Sequence, residues 1–428
     1  MTDMIAVIGL GYVGLPLTIT LANHYRVIGY DSNEAKITKL HAGIDYTDEV
    51  GAGALINSSA QFTHSSAEIE AANIYIVTVP TPVHADKTPD LNPLINASQL
   101  IGPYLRVGDM VIYESTVYPG TTEEVCVPIL ERTSRLYLNE GFSVGYCPER
   151  INPGDKAHTV TTISRVISAS NPEALTKVTA IYQHVTSGEL HVAPSIKVAE
   201  ASKVIENAQR DVNIAFVNEL AIAFHYMGID TQDVLDAANT KWNFLNFKPG
   251  LVGGHCISID PYYFIYKAEQ LGYHSQLLAS ARMINQQMAN FVTQAIIKQA
   301  LKANKGLPID RIGILGVTFK ENCADLRNSK VFDIIEALKD YNIDVLVHDP
   351  IADPLLVERD YQLKLASLDH FKACDGIVVA VGHQFYRDDL TASDLKGMLK
   401  TDRHLVFDLK SIYPKADFEA QDLKMWRI

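Results

Sequence analysis

The sequence predicts an α/β protein made of two doubly wound parallel sheets joined by a long central helix and a helical connector. Short apolar runs alternate with helical patterns in the first and last thirds, the mark of a parallel sheet covered on both faces. Strand with glycine turn, second strand ending in aspartate, and buried strand occur in the same order in both thirds. Between them runs a long segment without internal proline or glycine, whose apolar positions recur at three and four.

Residues 4–8, MIAVI, read as a strand that runs into GLGYVG and then into a helix through PLTITLANHY. VIGYD is a second strand ending at Asp31, and NIYIVTVPTP (73–82) and DMVIYESTVYPGTT (109–122) are buried strands followed by polar loops. The long helix starts at Ser195 and ends near Gly228, and the stretch from Tyr262 to about Asn304 is mainly helical in pattern. The last third restarts with RIGILGVTFK (311–320), DVLVHDP (344–350), DGIVVAVGH (375–383) and HLVFDLKS (404–411). Three domains are expected: 1–194, a Rossmann-like dinucleotide domain; 195–304, a helical connector; and 305–428, a second Rossmann-like domain.

A formal net charge of −13 argues against a nucleic-acid-binding surface, which rests on basic residues. The 5 cysteines are odd in number and form no CxxC pair, which fits a reducing compartment better than a disulfide framework. No apolar run reaches the roughly 18 residues of a membrane helix, and glycines interrupt the N-terminus where a signal peptide has its apolar core. The expectation is a cytoplasmic protein with no nucleic-acid or membrane partner.

Gly9, Gly11 and Gly14 form GxGxxG after a strand and before a helix, with Asp31 closing the next strand. In that setting the glycines let backbone amides approach a pyrophosphate at the helix N-terminus, and Asp31 accepts from adenine ribose hydroxyls. A carboxylate there repels a 2′-phosphate, so NAD is favoured over NADP. In the second copy, GVTFK lacks the later glycines and gains Lys320, so this loop is expected to take a different phosphorylated ligand.

Cys256 stands behind Gly253, Gly254 and His255, with Asp260 nearby. A lone cysteine is more often a small buried hydrophobe, and Cys126, Cys147, Cys323 and Cys374 are read that way. The glycines set Cys256 apart, because missing side chains admit a ligand or another backbone. No second cysteine or histidine lies at ligand spacing, so no metal is expected. An imidazolium at His255 would lower the thiol pKa, although adjacent side chains often point apart. Lys203 and Asn207 share one face of the long helix, and Glu149 sits in a proline-rich loop after a strand.

With GLGYVGLP (9–16), VPTP (79–82), ESTVYPGTT (114–122), CPERINPG (147–154), KVIENAQRDVNIAFVNE (203–219), GGHCISIDP (253–261) and GVTFKENCADLRNS (316–329) in this order, the chain resembles the UDP-glucose/GDP-mannose dehydrogenase family over essentially its whole length. KWNFLNFKPGLVGGHC and the segment LGVTFKENCADLRN resemble most the branch acting on UDP-N-acetylhexosamines. Pro153 and Ile259 depart from the UDP-glucose branch, which carries glutamate and lysine there. The same chemistry on UDP-glucose is the alternative.

The resemblance implies a homodimer and a four-electron oxidation of a C6 alcohol to the acid with two NAD. It implies Cys256 as the nucleophile that forms a thiohemiacetal and then a thioester, with Lys203 and Asn207 at the C6 oxygen. Asp260 then orients or activates water and the lysine, Glu149 serves acid-base steps, and Thr116 positions water or cofactor. Further NAD contacts are implied at Tyr12, Val13, Lys36, Thr81 and Arg327. Sugar-nucleotide contacts are implied at Glu149, Arg150, Lys203, Asn207, Phe247, Lys248, Gly253 and Lys320.

Overall fold

The computed structural model describes residues 3–47, 49–151 and 159–428, so Pro153 lies outside the described residues. The chain gathers into two compact units, Met1–Glu206 with Tyr262–His274, and Asn207–Pro261 with Ser275–Ile428.

The first unit is built on β1 (Met4–Ile8), β2 (Arg26–Tyr30), β3 (Gln61–Thr63), β4 (Ile74–Val77), β5 (Asp109–Tyr113), β6 (Phe142–Tyr146), β7 (Arg165–Ala169) and β8 (Leu190–Val192). Their order across the sheet is β3-β2-β1-β4-β5-β6-β7-β8. Alternation along β1 explains why the sheet is covered twice: Ile5 and Val7 enter one core, Ala6 and Ile8 the other. The chain leaves β1 toward β2 on one side and returns to β4 on the other, so a crevice opens at the carboxyl ends of β1 and β4. The expected parallel pairing holds from β3 through β6. It breaks at β6 and β7, which run antiparallel.

The second unit carries β9 (Arg311–Leu315), β10 (Asp344–His348), β11 (Gly376–Val379), β12 (Leu405–Asp408) and β13 (Lys424–Trp426), all parallel, in the order β10-β9-β11-β12-β13. The same reversal places a second crevice at the carboxyl ends of β9 and β11. Helix Gln276–Ala303 covers this sheet through Met288, Val292 and Ile296, which pack with Ile312 and Ile314.

The long helix spans Ile196–Met227, close to the expected limits. Gly228 ends it with φ +70, a left-handed conformation that glycine adopts without Cβ strain. Among the described residues no helix is long and apolar enough to cross a membrane.

Candidate active site

The loop after β1 has the geometry of a dinucleotide cradle. Gly9 turns at φ +96, and its N–H donates to Tyr30 O at 2.8 Å. Gly14 opens the helix Gly14–Leu21, and a Cβ there would sit 1.8 Å from Gly9 O and 2.5 Å from Thr78 Oγ1, so glycine alone fits. A Cβ on Gly11 would meet nothing within 4 Å. The protein therefore leaves open space beside a helix N-terminus, where exposed amides and the helix dipole suit a pyrophosphate.

Asp31 buttresses this loop. Its carboxylate accepts from Leu10 N at 3.1 Å, Asn33 N at 2.9 Å and Lys36 Nζ at 3.0 Å. Lys36 thus reaches Asp31 directly, and Tyr46, over whose ring the ammonium lies at 5.7 Å, donates to Leu10 O. Across the crevice, Thr81 is buried, and Tyr263 donates to Pro82 O at 2.9 Å, fixing the loop after β4. Tyr12 and Thr116 are half-buried and Val13 is buried.

The loops after β5 and β6 bring Glu114 and the expected Glu149 to Arg165 at the start of β7, two partners that the sequence reading missed. Arg165, 1% exposed at its side chain, lies 3.3 Å from Glu114 and 3.6 Å from Glu149. Tyr182 donates to Glu114, and its ring lies 5.4 Å from the guanidinium. Two carboxylates share one cation out of water. Burial, with a smaller contribution from the Glu149 charge, lifts Glu114 to about 7 against the pull of Arg165. Glu149 accepts from Ile151 N through Oε1, while its Oε2 and Arg165 Nη2 have no hydrogen-bond partner among the described residues. Arg150 turns to Glu206, 2.7 Å away, and to Ser164 O at 3.0 Å. No local pattern could have revealed the cluster, because an arginine at the start of a strand carries no periodic signal.

On the long helix, Lys203 and Asn207 are buried at 6% and 8% exposure, one turn apart as their spacing predicts. Asn207 Nδ2 donates to Asp260 Oδ2 at 2.6 Å.

The cysteine loop is held from several sides within the second unit. Gly250 exchanges hydrogen bonds with the Asn218 amide, and Arg282, paired with buried Asp211, donates to Ser258 O at 3.1 Å. Ser258 donates to Gly254 O, and Ile259 N and Asp260 N donate to Cys256 O at 3.1 and 2.9 Å. Gly254 N donates to Arg327 O at 3.1 Å, and Asn328 Nδ2 donates to Gly254 O at 2.9 Å. Both glycines are required by contact: a Cβ on Gly253 would lie 2.7 Å from Asn328 O, and one on Gly254, at φ +81, would lie 2.8 Å from the Phe319 ring.

Cys256 is half-buried, and so is Cys323, against the expectation that it is buried, whereas Cys126, Cys147 and Cys374 are buried, and burial pushes those three thiols up to about 12, 12 and 11. Arg327 grips Asp325 at 2.6 Å, and Lys320 lies 5.9 Å from the Phe319 ring centre. Phe247 is half-buried and Lys248 exposed.

Family models match the chain in three consecutive segments: the UDP-glucose/GDP-mannose dehydrogenase NAD binding domain at residues 3–186, the central domain at 197–287, and the UDP binding domain at 313–415. The chain is 47% identical over 422 residues to the UDP-N-acetyl-D-glucosamine 6-dehydrogenase of Pseudomonas aeruginosa, covering 98% of this chain and 99% of that one. It is 46% identical over 428 residues to Protein CapL of Staphylococcus aureus, with both chains covered completely. The structure is similar to that of the UDP-D-ManNAc dehydrogenase of Pyrococcus horikoshii, with a TM-score of 0.89, 27% identity and 99% of each chain covered.

Proposed function

The chain belongs to the UDP-glucose/GDP-mannose dehydrogenase family, and from that premise we propose that it oxidises the C6 alcohol of a UDP-N-acetylhexosamine to the uronic acid for surface-polysaccharide precursor synthesis. The full-length identity of 47% to a UDP-N-acetyl-D-glucosamine 6-dehydrogenase carries the choice of sugar. The cofactor is NAD, and the residues present fit it: Gly9, Gly11 and Gly14 hold the pyrophosphate and Asp31 the ribose. NAD, when bound, accepts the hydride in each of the two oxidations.

Aldehyde formation needs no thiol, but the second hydride leaves only from a tetrahedral adduct. In this reading the Cys256 thiolate attacks the aldehyde carbon, and the carbonyl electrons move to the oxygen, giving a thiohemiacetal. Loss of hydride leaves a thioester. Water hydrolyses it to the acid and returns the thiol. Lys203 and Asn207 stabilise the negative charge on the C6 oxygen, where preorganised donors have their largest effect. Asp260 holds the Asn207 amide and orients water, and Glu149 moves protons around the thioester with Thr116 placing water or cofactor. Tyr12, Val13, Lys36, Thr81 and Arg327 complete the cofactor site, and Arg150, Phe247, Lys248, Gly253 and Lys320 the sugar-nucleotide site. Domain limits at 1–194, 195–304 and 305–428, a homodimer and a cytoplasmic setting belong to the same proposal.

Counting NADH per sugar tests it, with UDP-N-acetylglucosamine, UDP-N-acetylgalactosamine and UDP-glucose in parallel and the product weighed by mass spectrometry. Two NADH and a carboxylate from an N-acetylated sugar are expected. One NADH and an aldehyde would remove the role of Cys256, and preference for UDP-glucose would overturn the sugar assignment.

A further inference from the structure

The crevice of the second sheet is lined by two loops, residues 316–322 after β9 and 380–385 after β11. His383 is buried at 0% exposure and joins them. Its Nδ1 lies 3.0 Å from Asn322 N, and a backbone N–H can only donate, so Nδ1 is the acceptor. The ring proton therefore sits on Nε2, which lies 3.1 Å from both Asp349 Oδ2 and Thr318 Oγ1. Thr318 spends its own hydroxyl proton on Lys320 O at 3.0 Å, which leaves its oxygen to accept from the ring. Each polar atom of the set has one consistent role.

Two further contacts draw the same loops together. Gln384 N donates to Asn322 Oδ1 at 2.9 Å. Gly316, at φ +91, comes so near the other loop that a Cβ would lie 2.5 Å from Val381 Cβ. From the end of β10, Asp349 accepts from Val317 N at 2.7 Å, Thr318 N at 3.2 Å, and Ile351 N and Ala352 N at 2.9 Å. Burial opposes this charge, but His383 and these amides hold the carboxyl down at about 2.

We propose that His383 is a positioning residue for nucleotide binding: it clamps the two loops of the second crevice into the shape that receives the UDP moiety. Ligands of doubly wound sheets bind at this reversal of strand order, and His383 is too deeply buried to touch one. Its effect passes through Thr318 and Asn322 to the backbone of residues 318–322, including the carbonyl of Lys320. The proposal rests on the UDP-binding role of this domain.

Isothermal titration of the full chain with UDP, and separately with NAD, tests the clamp. His383→Ala is expected to bind UDP roughly tenfold more weakly, the worth of about one buried hydrogen bond. NAD affinity stays unchanged, and with the sugar nucleotide KM rises by a similar factor while kcat stays within about twofold. Thr318→Val is expected to follow His383→Ala and Thr318→Ser to bind as wild type does, which decides the matter if His383→Ala fails to fold. UDP affinity left at the wild-type value in both His383→Ala and Thr318→Val, or parallel loss of UDP and NAD affinity, overturns the clamp alone. Wild-type chain that takes no UDP overturns the reading beneath it.

Discussion

The two sheets begin alike and diverge at one loop. In each, the first strand ends in a turn whose amides are caught by an aspartate at the end of the second strand: Leu10 N by Asp31 at 3.1 Å, Val317 N by Asp349 at 2.7 Å. Asp31 then pairs with Lys36, whose side chain is 37% exposed, whereas Asp349 pairs with His383 at 0% exposure for both side chains. The acid is a buttress in both halves. What differs is the partner of that acid: a lysine five residues on for Asp31, and a buried histidine from a second loop for Asp349.

Exchanging the close contacts breaks the comparison most sharply. Gly14→Ala forces a methyl against Gly9 O, and NAD binding is expected to fall on the order of 100-fold, the upper end of the roughly 1–3 kcal/mol that overpacking costs. Titration with UDP remains as in wild type. Gly316→Ala is expected to give the mirror image, with UDP affinity lost and NAD affinity kept, and a variant that loses both would deny the two crevices their independence.

The buttresses come next in size. Asp349→Asn turns one acceptor oxygen into a donor amid amides, and is expected to cost roughly 2–3 kcal/mol in denaturant unfolding, against about 1 kcal/mol for Asp31→Asn. Because the folded carboxyl is held down at about 2, below the ordinary 3.8, its contribution is complete above pH 3.8 and lost as pH falls through 2. That loss is about 2 kcal/mol, and melts recorded across this range are expected to show a smaller acid-induced decline in Asp349→Asn than in wild type. The smallest effect belongs to Lys36→Ala, at under about 0.5 kcal/mol of stability for a pair whose lysine reaches solvent. A larger loss would make Asp31 as dependent on its partner as Asp349 is.

The repeated strand, turn and acid were legible because each is local: apolar runs, glycines and a terminal aspartate lie within a few residues of one another. The long helix was legible through its period. Short edge strands such as Gln61–Thr63 and Leu190–Val192 left no pattern, being too brief to alternate. The antiparallel turn at β6 and β7 escaped for a different reason, since strand direction depends on connection and not on composition. At the site, GLGYVG and GGHC announced themselves by their glycines, of which Gly14, Gly253 and Gly254 are required by contact. Arg165 and His383 did not, because their partners come from distant strands: Glu114 lies 51 residues from Arg165, and Asp349 lies 34 from His383.

Gly253 and Gly254 touch Asn328 O and the Phe319 ring with no space for a methyl group. The cysteine loop and the nucleotide loop are consequently one cassette for protein engineering. A graft that imports residues 316–329 from a binder of another nucleotide, without residues 250–258 to match, would unseat the Cys256 loop along with the loop it was meant to change.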